Sequence, residues 1–259
     1  MKVVLLAGGF GTRLSEETDI RPKPMVEIGG KPILWHIMKM YEKHGFNDFI
    51  ICLGYKGYYI KEYFFNYFMH NSDLRIDLET NNVEVLGSKT ESFKISLIDT
   101  GLNTKTAGRL KRIQHLLAEK EDFLMTYGDG VSDVNLTELV EYHKSHKKAA
   151  TLTAIQPEGK FGGMDIEGSS VKNFIEKPKG DGKWINGGFF VLSPRVFEFI
   201  PENADDVMWE EDPLVHLSKS SELMAYKHSG FWKCMDALRD KMELQRMWEA
   251  NKSPWKTWK

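Results

Sequence analysis

Gly8, Gly9 and Gly11 follow directly on the apolar run of residues 3–7, with Thr12 and Arg13 next; Lys23 then stands between Pro22 and Pro24. Glycine has no Cβ, so a glycine-rich turn after a strand lets backbone N–H groups approach an anion such as a phosphate. The flanking prolines stiffen the backbone beneath the Lys23 ammonium, which lowers the entropy lost on binding. A glycine pair alone is balanced between an anion loop and a bare strand-to-helix turn. Two named phosphate motifs are excluded. The dinucleotide fingerprint needs glycine where Leu14 stands, and the P-loop needs Gly-Lys-Ser/Thr where the chain reads "GTRL". Phosphoryl chemistry between polyanions also needs a divalent metal, held by one or two carboxylates. Asp129 in "YGDGVSD" ends an expected strand, and ligands of α/β sheets gather at the carboxyl ends of strands. Taken alone, Gly-Asp-Gly favours a plain turn.

The elements around these residues alternate. Residues 3–7 predict a buried strand, 31–45 a helix with Pro32 in its first turn and Gly45 at its stop, 48–54 a second buried strand and 58–70 a second helix. Ile33, Ile37, Met40, Tyr41 and His44 keep the spacing of one helix face. This succession is the signature of βαβ units and a parallel sheet. The stretches 74–86 and 93–99 alternate apolar and polar residues, like antiparallel edge strands. Further on, the pattern predicts helices over 107–120, about 135–146, 209–223 and 235–250, with strands at 122–127 and 149–155. The aromatic run of 58–68 suits either an interface or the core and is read as core, and the tryptophans of the tail as packed back on the body.

The fold class expected is α/β: a Rossmann-like, mixed but mostly parallel sheet flanked by helices, with small antiparallel additions. With 259 residues and no linker or repeat, the chain is read as one domain. Its divisions are about 1–155, 156–234 and 235–259, the last a helix and tail. A net charge of −2 argues against a dedicated nucleic-acid binder. Cys52 and Cys234 have no metal-ligand spacing and read as free thiols of a reducing cytoplasm, and no apolar stretch is long enough to span a membrane.

The combination "LAGGFGTRL…RPKPM" resembles the signature of the sugar-nucleotide pyrophosphorylases, nucleotidyltransferases that join a nucleoside triphosphate to a sugar 1-phosphate. Position by position, the resemblance implies nucleotide contacts from Leu6, Ala7, Gly8, Gly9, Phe10, Gly11, Thr12 and Arg13, with Arg13 and Lys23 on the phosphates. It turns Asp129 from a turn residue into a metal ligand, and gives Gly128 a place beside the nucleotide. It adds Asp236 as a second metal ligand, although position alone favours a helix N-cap there. Asp133 and Asp240 lie close enough in sequence to confuse that assignment. "FIEKPKGDGKWINGGFFVL" is the second match. It implies Lys177 on the sugar phosphate, Glu176 on sugar hydroxyls, and Asn186, Gly187 and Gly162 lining the same pocket.

Resemblance extends over essentially the whole chain to the cytidylyltransferases of that family that act on glucose 1-phosphate. It implies CTP and glucose 1-phosphate as substrates, Mg²⁺ as cofactor, and CDP-glucose supply for bacterial surface polysaccharide such as O-antigen. It also implies a homo-oligomer, a hexamer among the candidates, and no nucleic-acid or membrane partner. Thr104 and Arg109 in "DTGLNTKTAGRLKR" are the implied nucleotide contacts. Arg109 has only donors and suits either the O2 and N3 acceptors of cytosine or a phosphate; a solvated helix position is the other reading. A uridylyl- or thymidylyltransferase of the same fold and an inactive nucleotide-sugar sensor are the alternative functions.

Overall fold

The structure, a computed structural model, describes residues 1–117, 121–157, 163–175 and 183–258. Eight strands form the central sheet: β1 (Val3–Leu6), β2 (Asp48–Leu53), β3 (Lys94–Asp99), β4 (Phe123–Tyr127), β5 (Ala150–Ile155), β6 (Ile185–Asn186), β7 (Phe190–Leu192) and β8 (Leu223–His228). β1 lies at the centre, parallel to both β2 and β4, and β3 runs parallel to β2 at the edge. β7 pairs antiparallel with β4 and β5, β6 pairs antiparallel with β5, and β8 runs parallel to β5. The sheet is therefore mixed, as expected.

Among the described residues, the helices longer than one turn are α1 (Ile33–Lys43), α2 (Gly57–His70), α3 (Thr106–Arg112), α4 (Leu136–His146), α5 (Asp212–Lys219) and α6 (Leu238–Glu249). Successive side chains of a strand point to opposite faces, and β1 uses this to feed two cores. Val3 and Leu5 pack with Ile33, Ile37 and Tyr41 of α1 on one face. Val4 and Leu6 pack with Leu110 of α3 and Leu217 of α5 on the other. A strand buried on both faces reads as a continuous apolar run, which is why residues 3–7 and 48–54 were legible.

Ile33, Ile37, Met40 and Tyr41 of the expected stripe are buried, and so are Leu34, Trp35, His36 and Met38, so α1 is covered nearly all round. Part of that cover is the C-terminal tail. Trp255 is buried against His36 and Phe231, and Trp258 meets Trp35 and His36 edge-on or tilted.

Four expectations need correction. The stretch 93–99 is an edge strand but a parallel one, because it continues the β1–β2 crossover pattern and does not return beside the hairpin of Ser72–Asp77 and Asn82–Ser88. The helix expected over 107–120 is Thr106–Arg112 followed by a single tight turn, Gln114–Leu116; the Ile113 N–H bonds Leu110 O three residues back and ends the α-helical ladder, while 118–120 lie outside the described residues. The helix expected over 209–223 is shorter, Asp212–Lys219, with Pro213 in its first turn. The aromatic run of α2 is core only in part: Ile60 is its one buried residue, Tyr63 and Phe64 pack half-buried against the core, and Phe65 is 86 % exposed. Aromatic spacing sets a helix face but not whether a neighbour covers it. No helix among the described residues is long and apolar enough to cross a membrane.

Candidate active site

β1 and β4 run in register, Leu6 opposite Tyr127, so the two loops that leave their carboxyl ends start side by side. The Gly128 N–H donates to Leu6 O (3.0 Å) and ties them together. Between these loops lies a cleft of about 470 Å³. Every expected nucleotide residue with a described side chain lines it, residues 6–12, Lys23, Thr104, Arg109 and Gly128, and so does Asp129, the expected metal ligand. The Arg13 side chain lies outside the described residues, as do Gly162, Glu176 and Lys177.

Lys23 opens a short helical turn, Lys23–Met25, with extended Pro22 before it (φ −66°, ψ 149°). Its side chain is buried and lines the cleft. There Nζ donates to Asp129 Oδ2 and Asp236 Oδ1, both at 2.7 Å. Burial alone would lower its pKa, but Asp129, Cys234 and Asp236 outweigh burial and hold the ammonium above the ordinary lysine value. Breaking such a pair by removing one partner strands a desolvated charge.

The two aspartates are far apart in sequence and meet through a small ribbon. Gly130–Ser132 pairs antiparallel with Trp232–Cys234, and the Met235 N–H donates to Asp129 O at 2.9 Å. Residue 236 is not the helix cap. α6 begins after Ala237, and the Asp240 carboxylate accepts from the N–H groups of Asp236 (3.1 Å) and Ala237 (2.9 Å). Asp240 closes the turn, which leaves the Asp236 carboxylate for the cleft. Asp133 is turned away towards His228 (2.9 Å). Asp129, Cys234 and Asp236 each bring one possible ligand atom to within 4.8 Å of the others. Burial and Asp129 push the Cys234 thiol above its ordinary range, and burial pushes Cys52 up to about 12.

Arg109 is not solvated. It is 4 % exposed, and its guanidinium sits under the glycine loop. Nη1 donates to Leu53 O, Thr100 Oγ1 and Gly101 O (2.8 Å each), and Nη2 to Gly8 O (2.9 Å). A Cβ at residue 8 would lie 2.3 Å from Arg109 Cζ, and one at residue 54 would lie 2.6 Å from Nη1, so both positions need glycine. This bracing of the loop was not foreseen.

Asn186 ends β6 and Gly187 follows it. Asn186 Nδ2 donates to the Tyr127 hydroxyl (3.4 Å), its Oδ1 accepts from the Gly188 N–H (2.9 Å), and Gly187 O accepts from Trp232 Nε1 (2.7 Å). Tyr127 lines the cleft and donates to Glu210, whose second oxygen accepts from Thr106 Oγ1 (2.8 Å). Tyr127 and Glu210 were missed. No local spacing marks a pair 83 residues apart, though Tyr127, next to Gly128-Asp129 at the end of a strand, carried a positional hint.

A backbone-lined loop, a lysine and two converging carboxylates around one cleft suit a nucleoside triphosphate with its metal. Residues 2–234 match the family model described as Nucleotidyl transferase. The glucose-1-phosphate cytidylyltransferase of Salmonella typhi is 57 % identical over 258 residues, covering 100 % of both chains. The protein named "Probable glucose-1-phosphate cytidylyltransferase" in Bacillus subtilis is 46 % identical, again covering 100 % of both. Among solved structures, HddC from Yersinia pseudotuberculosis matches with a TM-score of 0.69 at 24 % identity, covering 95 % of this chain and 99 % of that one. UDP-glucose pyrophosphorylase from Acinetobacter baumanii matches with a TM-score of 0.68 at 17 % identity, covering 98 % and 95 %. At those identities the structural likeness speaks for the fold. The similarity of sequence reaches further: the chain belongs to the nucleotidyl transferase family.

Proposed function

We propose that this protein transfers the cytidylyl group of CTP to α-D-glucose 1-phosphate, giving CDP-glucose and pyrophosphate. The observation that carries the reading is 57 % identity along the full length to a glucose-1-phosphate cytidylyltransferase. In this reading a phosphate oxygen of the sugar attacks the α-phosphorus of CTP, the bond to the β-phosphate breaks, and pyrophosphate leaves in line. No protein nucleophile is needed, so the chain's residues position and neutralise.

The backbone of residues 6–12 receives the nucleotide, with Arg109 beneath it and Thr104 and Gly128 on the walls. Arg13 and Lys23 serve the triphosphate. Lys177 and Glu176 orient the sugar phosphate, with Gly162, Asn186 and Gly187 completing that side. The carboxylates of Asp129 and Asp236, converging with Lys23 between them, fit a hard divalent cation. Mg²⁺ held there supplies charge neutralisation for the triphosphate.

In the same reading the protein is one domain with a nucleotide half, a sugar-phosphate half and a C-terminal helix and tail. It works in the cytoplasm, in keeping with its free thiols, and supplies CDP-glucose for surface polysaccharide. It assembles with copies of itself, and the exposed aromatic residues of α2, Tyr58, Phe65 and Phe68, support that. Incubation with CTP, glucose 1-phosphate and Mg²⁺ tests the reaction: CDP-glucose and pyrophosphate form in equal amounts. Pyrophosphate without CDP-glucose would overturn it.

A further inference from the structure

Cys234 is not part of the reaction as proposed, yet its thiol stands among the groups that are. Residues 234 and 236 fall on the same side of an extended chain, while 235 points the other way. Met235 is buried in the core on that other side. Cys234 and Asp236 therefore lie together on the side of Asp129 and Lys23, two residues that line the cleft. Cys234 lies opposite Gly130, the residue after Asp129, where there is no side chain to separate the thiol from the Asp129 carboxylate.

The three donor atoms lie within 4.8 Å of one another, close to what one ion with metal–donor bonds of about 2.0–2.3 Å bridges. A cation already rests among them, because the Lys23 ammonium is shared by the two carboxylates at 2.7 Å. The donor set is chemically split. Mg²⁺ takes oxygen ligands and leaves a thiol alone, whereas Zn²⁺ and Cd²⁺ bind thiolate and carboxylate together.

We propose that Cys234 is a third donor of this centre, so that a thiophilic divalent cation binds through Asp129, Cys234 and Asp236 in competition with the oxygen-bound ion. The inference rests on the reading of Asp129 and Asp236 as metal ligands. On binding, the S–H proton is released to the buffer and a sulfur–metal bond forms, with no change of oxidation state. The ion takes the place that the Lys23 ammonium holds between the two carboxylates. A soft ion held this way keeps Mg²⁺ out and blocks turnover.

The test is titration of the chelator-treated full-length protein with Cd²⁺, read by the ultraviolet thiolate-to-cadmium charge-transfer absorption. A band that saturates at one equivalent is expected, and added Mn²⁺ reverses it. It disappears in both Cys234→Ser and Cys234→Ala, with folding checked by thermal melting, and survives in Cys52→Ser. Asp129→Asn weakens Cd²⁺ binding at least about tenfold, the lower end of what loss of a supporting group costs a metal site. No band in the wild type, a band that persists in both Cys234 variants, or one indifferent to excess Mn²⁺ would overturn the proposal. CDP-glucose formation with no band sinks this inference alone. A reversible band without cytidylyl transfer sinks the functional reading and leaves the donor set standing.

Discussion

Arg109 lies directly beneath Gly8: its Nη2 donates to the Gly8 carbonyl at 2.9 Å, and a Cβ on residue 8 would fall 2.3 Å from Arg109 Cζ. Loop shape and arginine position are thus a single feature. The planar fork of guanidinium N–H groups spans carbonyls from three segments of chain.

Gly8→Ala displaces that fork and leaves buried carbonyls without a donor. The expected loss is about 1–3 kcal/mol of stability, the range for an unsatisfied buried polar group, together with a raised KM for CTP. Urea midpoints and steady-state kinetics measure the two effects. Arg109→Lys gives the same direction, because an ammonium cannot span the carbonyls. An unchanged midpoint and KM in both variants would show that the loop holds its shape without Arg109.

Asp129→Asn lowers kcat at least about 10²-fold, by analogy with removal of one electrostatic stabiliser of a transition state. Asp133→Asn is the control, since that carboxylate faces His228 and not the cleft; it leaves the Mg²⁺ dependence of the rate unchanged. An Asp129→Asn enzyme with the wild-type rate and Mg²⁺ dependence would put the metal elsewhere.

Lys23→Ala removes the ammonium that Asp129 and Asp236 share. If that group serves the triphosphate, the loss is about 1.5–3 kcal/mol, the value of a charged hydrogen bond, or roughly ten- to a hundredfold in KM for CTP. KM for glucose 1-phosphate changes little. A rise confined to glucose 1-phosphate would mean that the two phosphate sites have been exchanged.

The glycine loop and the Pro-Lys-Pro turn were legible because their chemistry is local: backbone freedom at one, backbone stiffness at the other. The two buried strands were legible because continuous apolar runs fit a sheet covered on both faces. Asp236 was ambiguous because a cap and a ligand need the same residue type, and only Asp240, four positions on, resolves it by closing the turn itself. The bracing of the loop by Arg109 was not legible, because its partners Leu53 and Gly8 lie 56 and 101 residues away. The aromatic face of α2 carried a helical period but no record of whether anything packs on it.

His36 predicts a pH-dependent stability. It is fully buried, its Nε2–H donates to Ile28 O (2.8 Å), its Nδ1 accepts from Trp255 Nε1 (3.4 Å), and burial, with Lys256 adding in the same direction, pushes it down to about 4. Between its unfolded value near 6.5 and that depressed value, the unfolded chain binds a proton that the native protein does not. The stabilisation is therefore complete above about pH 6.5 and lost as pH falls towards 4, by about 3 kcal/mol at most. Urea midpoints from pH 7.5 down to pH 4.5 fall more steeply for the wild type than for His36→Gln. Parallel slopes would mean that His36 is protonated in the native state.

The most direct test of the account is pyrophosphate release with glucose 1-phosphate, Mg²⁺ and each of CTP, UTP, dTTP, ATP and GTP in turn. The account predicts the highest kcat/KM with CTP and CDP-glucose as the product. A preference for UTP or dTTP over CTP would contradict it.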